Sequence, residues 1–227
     1  MIDNRRYKER LYELFSQVAS AMANPHRLEL LDLLVQAPRT VEELARQANM
    51  SVANTSQHLQ RLKHARLVTD ERQGLYIRYA LADDAVKALW LALRGVAERQ
   101  LAEVERARND YRARGADFEK IEIEDLFERM ERQEIVLIDV RPAIEYQAGH
   151  IPRSISIPLE ELEQRLAELP RDKTIAAYCR GPFCAFADEA LAILSERGWR
   201  VVRLEEGVAE WEHALASTDG DRERRGD

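Results

Sequence analysis

With 227 residues the chain can hold one large domain or two modest ones, since cores organise in units of roughly 100–150 residues. Shares of 45 % hydrophobic and 33 % charged residues are those of an ordinary soluble globular protein. The opening MIDNRRYKER is too charged for a secretory signal. No apolar run approaches the ~18 residues that span a bilayer, so the sequence reads as cytoplasmic, with no membrane partner.

Charge is divided unevenly. Residues 1–110 carry 17 Lys and Arg against 15 Asp and Glu, whereas 111–227 carry 17 against 26. The first part could meet a polyanion far more easily than the second. In chain order, Tyr7, Leu11, Leu14, Phe15, Val18 and Met22 recur at three- and four-residue steps, which predicts a first helix. Asn24-Pro25 supplies an N-cap and a first-turn proline for a second helix, whose core face is Leu28, Leu31 and Leu34. Thr40-Val41-Glu42-Glu43 is a capping box for a short third helix through Ala48, broken by Asn49-Met50. Ser51 caps a fourth helix with Leu59 and Leu62 inward. Leu67–Thr69 and Leu75–Leu81 read as two strands joined through Arg72-Gln73-Gly74.

Two short helices, a tight turn and a hairpin make a winged helix-turn-helix, whose second helix is sized for a major groove. The expected DNA contacts are Asn54, Thr55, Ser56, Gln57, His58, Gln60 and Arg61 on that helix, with Arg72 and Gln73 at the wing tip. Each of these, taken alone, also reads as an ordinary solvated polar residue.

The stretch MANPHRLELLDLLVQAPRTVEELARQANMSVANTSQHLQRLKHARLV resembles the ArsR-type winged-helix regulators over roughly residues 5–100. The resemblance implies a dimeric repressor on double-stranded operator DNA that leaves its site when a ligand binds. Metal-sensing members place cysteines on the third helix or histidines and acids on the last one. Here VEELARQA has no cysteine and residues 83–105 no histidine, so no metal is expected. His58 and His64 read as packing or backbone-contact residues, and His58 falls where the family approaches DNA. A long helix from Asp83 to about Arg112 follows, with Trp90, Leu93, Ala97, Leu101 and Val104 on one seam. With the first helix it is the expected homodimer surface, unless it folds back on its own core. Residues 1–105 are thus the winged-helix domain, and 106–116 the helix end and linker.

From Asp117 short apolar runs alternate with helical ones: Ile135–Val140, a helix near Ile144–Ala148, Ser154–Ile157, a helix at Leu159–Leu169, Thr174–Tyr178, a helix at Ala185–Arg197, Val201–Leu204, and a helix at Val208–Leu215. That pattern predicts a parallel α/β sheet with helices on both faces over 117–216, followed by a polar tail at 217–227. Functional sites of such sheets lie at the carboxyl ends of strands. Cys179 is at one, opening the turn CRGPFC, which runs into a helix. Backbone N–H groups curled around its sulfur, together with the helix dipole, predict a lowered pKa and a nucleophilic thiolate or persulfide. Gly181 permits a positive-φ bend, Pro182 stiffens the turn, and Arg180 can attract an anion. Cys184 reads as an inert small side chain, a resolving thiol, or half of a soft-ion pair.

LIDVRPAIEYQAGHIPRSISIPLEEL, the cysteine loop and EEGVAEW together resemble the rhodanese-type sulfurtransferases over about residues 117–216. The resemblance implies that Cys179 is the catalytic cysteine, taking sulfane sulfur from a donor such as thiosulfate or a polysulfide, within a substrate loop of Arg180, Gly181, Pro182, Phe183 and Cys184. It implies no bound cofactor. Asp139, Arg141, Glu145, Tyr146, Gly149, His150, Ile151 and Pro152 match positions that support the family's fold, with Arg141 expected to pair with Glu145 or Asp139. The glycine and proline inside the loop, Cys184 at its end, and Arg153 and Glu206 in place of glycine depart from the family pattern. Phosphatases and arsenate reductases of this fold use Cys-x5-Arg, and the sixth residue after Cys179 is Ala185. Joined, the halves suggest a regulator whose operator affinity follows the sulfur or redox state of Cys179. The rivals are a working sulfurtransferase with an autoregulatory DNA-binding domain, and an inert ligand-binding or dimerisation module.

Overall fold

A computed structural model describes residues 4–112 and 118–212. The rest of the expected linker, the last residues of the expected final helix and the polar tail lie outside the described residues. The chain forms two compact units, Met1–Gly95 and Val96–Asp227. Residues 96–105, read above as part of the winged-helix domain, and 106–112, read as helix end and linker, fall in the second unit.

The first unit runs α1 (Asn4–Met22), α2 (Pro25–Gln36), β1 (Arg39–Thr40), α3 (Val41–Gln47), α4 (Val52–His64), β2 (Val68–Gln73), β3 (Tyr76–Leu81) and most of α5 (Asp84–Gln100). Its helices start where the sequence supplies acceptors for free N–H groups. The Asn24 side chain accepts from the Arg27 N–H at 3.2 Å, and Ser51 Oγ from the Asn54 N–H at 3.2 Å. Thr40 and Glu43 cap reciprocally: the Glu43 N–H donates to Thr40 Oγ1 and the Thr40 N–H to Glu43 Oε2. Leu30, Leu31, Leu44, Leu59 and Leu62 are fully buried where these helices meet. β2 and β3 pair antiparallel, closed by a two-residue turn in which Gly74 takes φ +65°. Leu75 therefore belongs to the turn, not to the strand predicted for it. β1, too short to show an alternating pattern in sequence, adds to β3 as a third strand. The single helix expected over 83–112 is interrupted at Leu101 although no glycine or proline marks the break.

The second unit runs α6 (Ala102–Arg112), β4 (Lys120–Ile121), α7 (Ile123–Glu131), β5 (Ile135–Asp139), α8 (Ala143–Ala148), β6 (Ile155–Ser156), two 3-10 segments (Leu159–Gln164 and Leu166–Glu168), β7 (Thr174–Tyr178), α9 (Phe186–Glu196), β8 (Val201–Leu204) and a helical segment at 208–212. The sheet is parallel throughout in the order β4-β8-β7-β5-β6. Side chains alternate along β7. Ile175, Ala177 and Cys179 join one core with α9, while Ala176 and Tyr178 join the opposite core with Leu126 and Ile151. The 159–169 helix is 3-10, and β4 and α7 lie outside the runs read from sequence.

A buried ionic cluster ties the carboxyl ends of β5 and β7. Asp139 is fully buried and accepts from Arg141 Nη2 at 2.7 Å and from the Tyr178 hydroxyl at 2.5 Å. Arg141 Nη2 also donates to the Gly149 carbonyl at 2.7 Å, and the Ile151 N–H donates to the Tyr178 hydroxyl at 3.1 Å. Of the two expected partners, Arg141 bonds Asp139, while Glu145 pairs with Arg180. Removing one member of a buried pair strands the other. Asp139→Ala is therefore expected to destabilise the second unit by about 3–5 kcal/mol, read as a fall in the midpoint of its urea transition.

Candidate functional site

β7 carries Cys179 to the carboxyl edge of the sheet, and the loop returns into α9 at Phe186. Both cysteines are free thiols; Cys179 is 2 % exposed, whereas Cys184 is partly exposed. The acceptors around Cys179 are oxygens: its S–H faces the Cys184 carbonyl at 3.3 Å and, more distantly, the Gly181 carbonyl at 3.9 Å. Burial pushes its pKa well up, helped by its hydrogen bond to Cys184, while the Ala187 N–H and Arg203 pull weakly the other way. Cys184 moves oppositely, down to about 6. The Cys179 S–H is the main cause, joined by the Arg180 and Phe186 N–H groups and the Arg180 charge against the cost of burial.

This corrects the expectation that the loop amides hold Cys179 as the thiolate. The Arg180 and Phe186 N–H groups act on the sulfur of Cys184 and the Ala187 N–H on that of Cys179, toward which the loop also turns two carbonyls. The residues predicted to line the loop are brought together, with altered roles. The Arg180 guanidinium is held by buried Glu145 at 2.6 Å, so its charge is matched within the protein rather than offered whole to an anion. Gly181 takes φ +119°, and a Cβ there would sit 2.8 Å from Glu210 Oε1. Gly207 presses on the loop from behind: its Cβ would fall 2.8 Å from the Arg180 carbonyl carbon and from the Gly181 nitrogen. Arg203 donates to the Cys184 carbonyl at 3.2 Å and to Asp188.

A cavity of about 310 Å³ opens on the Cys184 side. Val104, Ala107, Arg108 and Tyr111 of α6 form one wall, and Phe183 and Cys184 part of the other. Both walls belong to the second unit. Nothing in the sequence pointed to α6 as a wall of this site, because Val104 read as part of the dimer seam and the residues from Arg106 as helix end and linker. Glu145 and Gly207 were noticed only as parts of motifs, not for what they touch.

On α4, Asn54, Gln57, Gln60 and Arg61 are exposed and Ser56 is half-buried. Thr55 is fully buried, its hydroxyl donating to the Ser51 carbonyl at 3.0 Å. His58 is buried, its ring 5.4 Å from that of His26, and desolvation lowers its pKa. These two of the predicted contacts turn inward, because 55, 58 and 62 share the stripe that carries the core leucines. Gln60 Nε2 donates to the Tyr79 hydroxyl at 3.1 Å. Arg72 and Gln73 are exposed on the wing.

Two outcomes test the loop geometry. Alkylation of Cys184 by iodoacetamide is expected to titrate near pH 6 and to shift upward in Cys179→Ala, which lacks the S–H donor. Gly207→Ala is expected to displace the loop and abolish that low midpoint, with a stability loss of about 1–3 kcal/mol from overpacking.

The model of the rhodanese-like domain matches residues 122–214, and that of the bacterial regulatory protein arsR family matches residues 24–70. The HTH-type transcriptional regulator Rv0324 of Mycobacterium tuberculosis is 42 % identical over 212 residues, covering 93 % of each chain. A sulfurtransferase of Allochromatium vinosum is 30 % identical over 94 residues, covering 40 % of this chain and 86 % of that protein. The solution structure of the homodimeric winged helix-turn-helix DNA-binding domain Mb0332 of Mycobacterium bovis is 35 % identical, covers 44 % of this chain and 91 % of its own, and has a TM-score of 0.42. Among the described residues no helix is long and apolar enough to cross a membrane. The full-length relative and the two matching domains place this chain among the ArsR-type DNA-binding transcriptional regulators that carry a rhodanese-like domain.

Proposed function

We propose that this regulator is a homodimeric, cytoplasmic repressor whose affinity for its operator is set by the sulfur state of the Cys179–Cys184 pair. The observation that carries the reading is the pair itself: two free thiols in one loop, poised so that one ionises at the expense of the other, in a chain that also carries a DNA reader. A small donor of sulfane sulfur is the expected signal, since a thiolate beside a second thiol accepts such sulfur and passes it on.

The DNA contacts are drawn from the exposed side of α4, with Asn54, Gln57 and Arg61 toward the groove and Arg72 and Gln73 toward the backbone. Dimerisation is supported by apolar side chains left uncovered on α1 (Tyr7, Tyr12, Phe15) and α5 (Leu89, Leu93), which in one copy meet solvent. Two copies would present paired recognition helices to a two-fold operator. The likeness to a sulfurtransferase over the second unit favours one rival, in which sulfur transfer is the end in itself and DNA binding ignores it.

A gel shift on operator DNA separates the two. Adding a polysulfide is expected to release wild-type protein and to leave a Cys179→Ser, Cys184→Ser double variant bound. Equal binding with and without polysulfide in the wild type, together with multiple-turnover sulfur transfer, would overturn the regulatory reading in favour of the enzyme. Independently, Arg61→Ala is expected to weaken operator binding and to reduce the slope of log K against log salt by about 0.9, the loss of one phosphate contact.

A further inference from the structure

We propose that the cavity beside the cysteine loop is a binding site for a small aromatic carboxylate, held without covalent chemistry between α6 and the loop. This goes beyond the regulatory reading above. It asks nothing of either cysteine's reactivity, so it stands or falls apart from the sulfur signal.

The walls come from two separate parts of the second unit. Val104, Ala107, Arg108 and Tyr111 follow one another at steps of three, one and three residues, which puts them on one stripe of α6. That stripe and the loop residues Pro182 and Phe183 border a volume of about 310 Å³. Folded interiors leave few voids larger than a water molecule, so a gap of this size between a helix and its neighbour is room for a ligand. An organic body of one or two rings is on that scale.

The lining selects the body of that ligand. Tyr111 is 50 % and Phe183 47 % exposed, one ring on each wall, and Val104 and Ala107 add aliphatic surface. A flat aromatic group seated there leaves water itself, covers both rings and meets each of them as an aromatic partner.

Charge selects the head group. Two ionised side chains border the cavity, Asp188 and Arg108, and they differ in how firmly they are matched. Asp188 accepts from Arg203, whose side chain is 3 % exposed, so that pair is fixed from the core side. Arg108 pairs with Glu105, three residues earlier on the same helix, and the Glu105 side chain is 52 % exposed. Such a surface pair contributes little and exchanges readily. Arg108 Nε, moreover, is buried with no acceptor among the described residues. A carboxylate entering the cavity can take the guanidinium from Glu105 and supply the acceptor that Nε lacks, a two-point contact suited to the planar fork of arginine. An ammonium head would meet Arg108 as a like charge and find Asp188 already bonded.

The probe is naphthoate, with neutral naphthamide as its isostere, titrated into the full chain in a calorimeter. Wild-type protein is expected to bind one naphthoate per chain, and the amide about tenfold more weakly. Arg108→Gln is expected to remove that preference, bringing naphthoate down to the amide and leaving the amide unchanged. Ala107→Trp, which fills the cavity from an exposed position on α6, is expected to abolish binding of both. The Cys179→Ser, Cys184→Ser double variant is expected to bind naphthoate as the wild type does, since no bond to sulfur forms. In unsubstituted protein, saturating naphthoate is expected to slow alkylation of Cys184 by iodoacetamide at least about tenfold, because the ligand stands before the cysteine that lines the cavity. That readout needs no variant to fold. No saturable binding by wild type, or equal binding by Ala107→Trp, overturns the site. Unchanged alkylation of Cys184 at saturation overturns its placement, and loss of binding in the double cysteine variant overturns the non-covalent mode. A preference for naphthoate that survives Arg108→Gln overturns the head group.

Discussion

The burial of Cys179 against two backbone carbonyls governs the chemistry of this loop. Burial raises the pKa of Cys179, and the Cys179 side chain is the largest cause that lowers that of Cys184, to about 6. Neither residue has this character alone. The carbonyls of Gly181 and Cys184 fix the direction of the asymmetry, because oxygen lone pairs at 3.3 and 3.9 Å suit a proton on the Cys179 sulfur and disfavour a charge.

The fold maintains that orientation from three sides. Below the loop, Asp139 gathers Arg141 and the Tyr178 hydroxyl, locking β5 and β7 at the edge where the loop begins. To one side, buried Glu145 holds Arg180, the residue that follows Cys179. Behind, Gly207 approaches the Arg180–Gly181 peptide so closely that a methyl group has no room, and Glu210 accepts from the Gly207 N–H at 2.9 Å. Where related domains often place glycine, Arg153 adopts the left-handed conformation at φ +66°. It keeps the local turn at the cost of strain that a glycine would not carry. Glu206, the other departure, has its pKa raised by burial, then by neighbouring acids.

Much of this architecture was legible because the signals were local. The capping residues Asn24, Thr40, Glu43 and Ser51 bond as their sequence spacing requires, and Thr174–Tyr178 and Val201–Leu204 are strands over the bounds read from their apolar runs. Gly181 does take a positive φ. The failures are of two kinds. Thr55 and His58 are misplaced by a reading that weighs polarity above periodicity, although the information is present: both lie at helical spacing from Leu59 and Leu62. The partner of Arg180, the wall supplied by α6 and the sulfur that carries the charge could not be read, since each depends on where residues distant in sequence, or individual carbonyls, point after folding. A loop of six residues fixes the two sulfurs near one another but not how amides and carbonyls are shared between them.

The charge distribution constrains how such a site can speak to DNA. With 26 acidic residues against 17 basic ones, residues 111–227 are less suited to a phosphate backbone than the first part of the chain. In the regulatory reading proposed above, a signal from the loop acts through the first unit's geometry or its pairing with a second copy. α6 is the element in a position to begin this: its Val104, Ala107, Arg108 and Tyr111 border the same cavity as Cys184, and its chain continues through Leu101 into α5, which carries the uncovered Leu89 and Leu93. The energy required is small. A tenfold loss of operator affinity is a difference of about 1.4 kcal/mol between the two sulfur states, within what repacking a few apolar side chains along α6 supplies. The break at Leu101 is unforced by glycine or proline, and the Leu101 N–H still donates to the Ala97 carbonyl at 2.9 Å.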